Sequence, residues 1–266
     1  MPPEVSSDVK DLLVDVGGAN IRLLKGGSGE PLLLLHGVEG RLGWLRYAQS
    51  LAEHFTVYLP SHPGFDGSDR PEWLRSMLDL VCFYTWLLET QALEGIRVIG
   101  FGLGGWLAAE IAATTRHAFS KLMLVDAAGI RPQTGEITDI FILSPAQIAA
   151  LMFHDPTQAP EYDQLYNQAE PSPDQREQEV QNREMAVRLT WKPYMHDPRL
   201  SHLLARVEAP TQIVWGREDQ LIPLECGELY QQAISGSKLV VLDGCGHVPH
   251  LEQPDAFVTA AIQFLP

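Results

Sequence analysis

The sequence has few cysteines, no long apolar run and a shortage of basic residues, and each scarcity excludes something. Its three cysteines, Cys82, Cys226 and Cys245, are odd in number and have no metal-ligand spacing among them. Neither a disulfide framework nor a metal site is therefore expected, and a reducing, cytoplasmic setting is the default. No apolar run approaches the roughly 18 residues of a membrane-spanning helix. Residues 1–15 also lack the basic start and apolar core of a secretory leader. Only 19 Lys and Arg stand against 34 Asp and Glu, a net charge of −15. That balance argues against nucleic acid or an anionic membrane surface as partner, because both would be repelled. Part of the acid excess lies between Asp155 and Glu184 and reads as a solvated, mobile face.

What is present suits one large α/β domain with an inserted subdomain: 266 residues, 45% of them apolar. Apolar bursts alternate with helix-length amphipathic stretches, the pattern of a parallel sheet covered on both faces. Leu12–Val16 and Ile21–Leu24 flank Gly17-Gly18 as an opening hairpin. Strands are expected at Pro31–Leu35, Thr56–Leu59, Arg97–Phe101 and Lys121–Val125, with helices over Leu42–His54, Trp73–Leu93 and Gly104–Ala113. The alternation then breaks. From Gly129 to about Leu204 the patterns are helical and punctuated by proline, which predicts a helical cap over residues 129–204, inserted after the sixth strand. Strands resume at Thr211–Trp215 and Lys238–Leu242, and a closing helix spans Pro254–Phe264. The expected architecture is a mostly parallel eight-stranded sheet with helices on both faces, its core formed by residues 1–128 and 205–266.

The segment Val98-Ile-Gly-Phe-Gly-Leu-Gly-Gly-Trp106 is a strand, a glycine-rich turn and a helix. A phosphate-binding loop is one reading, but the glycines are not spaced G-x-G-x-x-G and the unit falls in mid-chain. An unremarkable tight turn is another. The third is a nucleophile elbow, G-x-S-x-G, with Gly102 where serine belongs. The rest of the chain decides for the third. Val214-Trp-Gly-Arg-Glu-Asp219 places a carboxylate just past a buried strand, and Gly244-Cys-Gly-His247 does the same for an imidazole. Alone, each would be a helix cap or a polar loop residue. In the order elbow, Asp, His they match a hydrolase triad. His36-Gly37, after an early strand, adds a loop whose backbone N–H can face an oxyanion.

These residues carry a resemblance to α/β-hydrolases of the esterase and meta-cleavage-product hydrolase branch, extending over residues 30–264. The matching segments are Leu34-Leu-His-Gly37, His62-Pro-Gly-Phe-Asp-Gly-Ser68, Gly100 to Gly105, Trp215 to Pro223, and Gly246 to Pro254. The resemblance implies that Asp219 orients His247, and that the Val38 and Leu103 N–H groups form the oxyanion hole. It departs at Gly102, which has no side chain to attack with.

Several functions are compatible with that glycine. One is a hydrolase of a small apolar ester, lactone or C–C bond that lacks its nucleophile, by engineering or by nature. Another is a His247–Asp219 general-base enzyme acting on water or on a substrate proton. A third is a small-molecule binder without catalysis. Cys245 stands two residues from His247 but reads as a small buried thiol. His36, His62, Trp106 and Trp191 are weaker candidates for the pocket wall, Glu252 for a cap of the final helix, and His250 for packing. No cofactor is expected, and the chain is expected as a monomer or homodimer acting on a small molecule.

Overall fold

The computed structural model describes residues 9–167 and 172–266. Residues 1–8, within the N-terminal segment that lacks leader features, and residues 168–171 of the acidic stretch lie outside them. In the opening hairpin, β1 (Lys10–Val16) pairs with β2 (Ala19–Gly26), and Val16 faces Ala19 across Gly17 and Gly18. Both glycines have positive φ, 61° and 86°, as a two-residue hairpin turn of this hand requires. There follow β3 (Pro31–Leu35), α1 (Arg46–Ala52), β4 (Thr56–Pro60), α2 (Met77–Thr90), β5 (Ile96–Phe101), α3 (Leu103–Thr114) and β6 (Phe119–Val125). Two helices are shorter than the apolar spacing suggests. For α2 the cause is local: the Ser76 hydroxyl accepts the Asp79 N–H and sets the helix start.

The sheet has eight strands in the order β1-β2-β4-β3-β5-β6-β7-β8, completed by β7 (Thr211–Gly216) and β8 (Lys238–Leu242). Strand β2 runs antiparallel to β1 and β4, and the other neighbours are parallel. Successive residues of a strand point to opposite faces. All four of Leu32, Leu33, Leu34 and Leu35 are fully buried, so β3 is covered on both faces. That is why it reads as a continuous apolar run rather than an alternation.

Between β6 and β7 the described residues form α4 (Pro145–Met152), α5 (Tyr162–Tyr166), α6 (Pro173–Thr190) and α7 (Leu200–Leu203), with no strand among them. Helix α6 starts on a reciprocal cap, Ser172 with Gln175, and on Pro173 in its first turn. Its Asn182 is buried and ties it to the core. Oδ1 accepts the Asp66 N–H at 2.9 Å, while Nδ2 donates to Asp66 Oδ1 at 2.8 Å and to the Glu39 carbonyl at 3.3 Å. Helices α8 (Leu224–Ala233), α9 (Pro249–Glu252) and α10 (Pro254–Phe264) complete the chain. Among the described residues no helix is long and apolar enough to cross a membrane.

Candidate active site

The parallel strands β5, β6, β7 and β8 deliver their loops to one edge of the sheet, and the candidate residues meet there. Gly102 is the single residue between β5 and α3, with φ 47° and ψ −111°, a conformation that non-glycine residues adopt only under strain. Its N–H donates to the Val125 carbonyl at 3.0 Å, and its own carbonyl accepts from Ala128 at 3.0 Å and from Trp106 at 3.2 Å. The turn is therefore held to β6 on both sides. A Cβ built on Gly102 would stand 3.4 Å from His247 Nε2, an ordinary contact, so a side chain here would point at the imidazole.

His247 and Asp219 come from different loops and meet with Nδ1 2.7 Å from Asp219 Oδ2. The other carboxylate oxygen, Oδ1, accepts the N–H groups of Leu221 at 2.8 Å and Ile222 at 3.0 Å. Those bonds fix the carboxylate, and the carboxylate fixes the ring with Nε2 toward Gly102. Burial pulls the imidazole down, but the Asp219 charge and hydrogen bond, with the Glu39 charge, raise it above its ordinary value of 6.5. The backbone is pinned as well: the His247 N–H donates to the Met152 carbonyl at 2.7 Å.

A narrow cavity of about 30 Å³ opens beside this pair, enough for a water molecule. Val38, Gly102, Leu103 and His247 line it together with Ile140, Tyr194 and Met195 from the segment between β6 and β7. Leu103 is the first residue of α3, so its N–H has no acceptor within the helix. Together with Val38 it lines the cavity.

The other sequence candidates lie elsewhere. His36 Nε2 accepts the His62 N–H at 2.8 Å and its Nδ1 meets the Gly37 carbonyl at 2.7 Å. His62 meets the Tyr84 hydroxyl through Nδ1 at 2.5 Å and the His36 carbonyl through Nε2 at 3.0 Å. Burial pushes His36 down to about 3 and His62 well below its ordinary value. These two neutral rings brace the loops after β3 and β4 and do not line the cavity beside Gly102. Trp106 is also buried away from that cavity and donates to Glu110 Oε1 at 3.1 Å. Trp191 is 54% exposed and packs against Phe141 and Tyr194. Of these three aromatic residues, Tyr194 lines the cavity, anchored by its hydroxyl to the Thr138 carbonyl at 2.7 Å. Cys245 is fully buried, and burial drives its thiol up, so it offers no thiolate.

Glu252 does not cap the last helix. It is buried, with Oε1 accepting the Asp155 N–H at 2.6 Å and Oε2 the Gly246 N–H at 2.7 Å. It thus joins the histidine loop to the segment ahead of α5. The reason is a contact across about a hundred residues of sequence, which local spacing does not reveal. Asp126, the residue after β6, is likewise invisible to the motif reading. Its Oδ1 accepts the Gly216 N–H at 2.9 Å, and burial together with the Asp219 charge pushes its carboxyl well up. Donor atoms of Asp126, Asp219 and His247 lie within 4.8 Å of one another. Three such donors could approach a cation. However, the imidazole Nδ1 is already committed to Asp219, and burial with the Asp219 charge favours the neutral Asp126 carboxyl, a poor metal ligand.

His250 packs its ring on Phe101 at 4.1 Å between centroids, and its Nδ1 is buried without a hydrogen-bond partner. Burial pushes it down to about 3. The unfolded chain therefore takes up a proton below pH 6.5 that the folded chain refuses until about pH 3, so this residue lowers stability as pH falls through that window. His250→Leu should lose about 2 kcal/mol less than the parent between pH 7 and pH 5, measured by urea unfolding at the two pH values. Equal losses would exclude a buried neutral ring.

Comparison with known proteins agrees with this architecture. A family profile described as "Alpha/beta hydrolase family" matches residues 32–261. The chain belongs to that family. Among named relatives, it is 25% identical over 255 residues to 2-hydroxy-6-oxononadienedioate/2-hydroxy-6-oxononatrienedioate hydrolase 1 of Pseudomonas putida, covering 89% of this chain and 88% of the relative. Among solved structures, it is similar to 2-hydroxy-6-oxo-6-phenylhexa-2,4-dienoate hydrolase from Rhodococcus sp. strain RHA1, with a TM-score of 0.76, 21% identity, and coverage of 96% and 98% of the two chains. A membrane phospholipase A described as a bacterial virulence factor gives a TM-score of 0.80 at 23% identity, over 97% of this chain and 86% of that one. At these identities the structural likeness concerns the fold alone.

Proposed function

We propose that this chain hydrolyses a small, apolar ester, lactone or vinylogous C–C bond, with His247 as general base and without a covalent intermediate. The observation that carries the reading is the His247–Asp219 pair at 2.7 Å, whose free Nε2 faces the space that a side chain on Gly102 would fill. A water in that space would give its proton to Nε2 and attack a carbonyl carbon. The Val38 and Leu103 N–H groups would receive the developing oxyanion, and the helical segment between β6 and β7 would act as the cap that selects the substrate. A nucleophile-less serine hydrolase without turnover, or a small-molecule binder, would keep the same pocket but no His247-dependent rate.

The test is hydrolysis of p-nitrophenyl acetate across pH. Activity should climb as His247 loses its proton, with a midpoint above 6.5 because the folded imidazole is raised. His247→Ala should abolish it. Asp219→Asn should lower both the midpoint and the rate, the latter by about 10²–10⁴-fold. A parent rate that His247→Ala leaves untouched would sink the proposal.

A further inference from the structure

Asp219 can orient His247 only while the turn that follows it stays in place. Its Oδ1 accepts the N–H groups of Leu221 and Ile222, so the carboxylate takes its direction from the peptides of that turn. The carbonyls of the same turn are held from outside. The Ile222 carbonyl accepts the Trp215 indole N–H at 3.1 Å. The other two are held by one residue of the segment between β6 and β7, Thr138. Its N–H donates to the Leu221 carbonyl at 2.9 Å, and its hydroxyl donates to the Gln220 carbonyl at 2.6 Å.

Thr138 is fixed in turn by Tyr194, whose hydroxyl donates to the Thr138 carbonyl at 2.7 Å and accepts the Ile140 N–H at 3.0 Å. The next residue, Met195, accepts the Gly129 N–H at 2.9 Å and so ties this stretch to the chain just beyond β6. Arg183 of α6 holds the far side, with Nη2 donating to the Phe141 carbonyl at 2.7 Å and the Leu143 carbonyl at 3.2 Å. Thr138, Ile140 and Tyr194 also line the cavity beside Gly102 and His247. The wall of that cavity and the support of Asp219 are therefore one hydrogen-bonded unit. Asp219 has its side chain fully buried and meets His247 Nδ1 at 2.7 Å. A charge-assisted bond of this kind depends on direction as well as length. Once the Gln220 and Leu221 carbonyls are released, the turn can swing and carry Oδ2 out of line with the imidazole.

We propose that Thr138 is a positioning residue for Asp219, and that the Tyr194 hydroxyl acts by holding Thr138 rather than by touching substrate. Tyr194 then offers a substrate its ring alone, because both hydrogen bonds of its hydroxyl are made within the protein. The role concerns the His247–Asp219 pair itself, and only its effect on rate rests on the hydrolysis reading above. Loosening the turn leaves the substrate wall standing but weakens the bond that keeps His247 Nε2 toward Gly102. A loss in kcat with KM kept is the signature of that arrangement.

The experiment compares the full-length parent with Thr138→Val, Thr138→Ser and Tyr194→Phe. In histidine-labelled protein the His247 ring signal, assigned by its loss in His247→Ala, is titrated by NMR without any substrate. Its midpoint should fall by about half a pH unit in Thr138→Val and Tyr194→Phe, as the ring loses part of the carboxylate's support. Thr138→Ser keeps the hydroxyl and should titrate as the parent does. With p-nitrophenyl acetate, kcat should fall about 10-fold in Thr138→Val and Tyr194→Phe, with KM unchanged. Should either variant fail to fold, the other reads the same titration. A ring titration identical in all four proteins would overturn the role, whatever the rates. A raised KM in Tyr194→Phe with a parental titration would make the hydroxyl a substrate contact and overturn it too. A parent without His247-dependent turnover would overturn the hydrolysis reading, and the ring titration would still decide this role.

Discussion

Gly102→Ser is expected to raise hydrolysis of p-nitrophenyl acetate by about 10³-fold over the parent, with a burst of p-nitrophenol as an acyl-enzyme accumulates. The size of the gain follows from what is already in place. The Cβ of a residue at 102 falls 3.4 Å from His247 Nε2, so a hydroxyl one bond further out comes within hydrogen-bond reach of a base that Asp219 already orients. Leu103 and Val38, whose amides are proposed to receive the oxyanion, already line the same cavity. The cost falls on stability: φ of 47° suits glycine, and a serine there should lower unfolding free energy by about 1–3 kcal/mol. Steady-state and stopped-flow assays, with urea unfolding alongside, read both effects. A folded Gly102→Ser protein no more active than the parent would show that the pocket has lost more than a hydroxyl.

Gly104→Ala should be among the most damaging substitutions of comparable size in the chain. A Cβ at Gly104 would stand 2.1 Å from the Leu35 carbonyl oxygen and 2.6 Å from that of His36. Both are backbone atoms at the end of β3, and neither can rotate away. Relief requires α3 to move off the sheet, which would pull Leu103 and Gly102 out of register with His247. Destabilisation at the upper end of the ~1–3 kcal/mol typical of overpacking is expected, with activity falling further than stability. Thermal unfolding and the aryl-ester assay together check this; a variant with parental Tm would mean that α3 is not seated on β3 as described.

Much of the site was legible in the sequence because chemistry and strand ends coincide. Asp219 and His247 each follow an apolar run with the length of a strand, the first buried and the second half-buried at the sheet edge, and Gly102 sits in a turn whose flanking glycines report close packing. The parallel sheet then brings those loop ends together. Legibility failed where the answer depends on the direction of a side chain or on a distant partner. His36 and His62 looked like pocket residues, yet they hydrogen-bond each other's backbone and Tyr84. Trp106 and Trp191 were named for their chemistry, but one is turned to Glu110 and the other to solvent. Asp126, Glu39 and Glu252 carry no motif. Their positions near His247 arise from contacts between loops far apart in the chain.

The sequence by itself determined that this chain builds a mostly parallel sheet covered on both faces, that it carries Asp219 and His247 beyond its late strands, and that glycine occupies the tip of the elbow. Alternation of apolar strands with amphipathic helices, and residue types at strand ends, are local properties that need no coordinates. Tertiary structure alone decided that the Gly102 side-chain space faces His247 Nε2 and that the cavity there has room for a water. Those are distances between segments, set by how α3, the loop after β3 and the helices between β6 and β7 pack. No spacing along one chain encodes them.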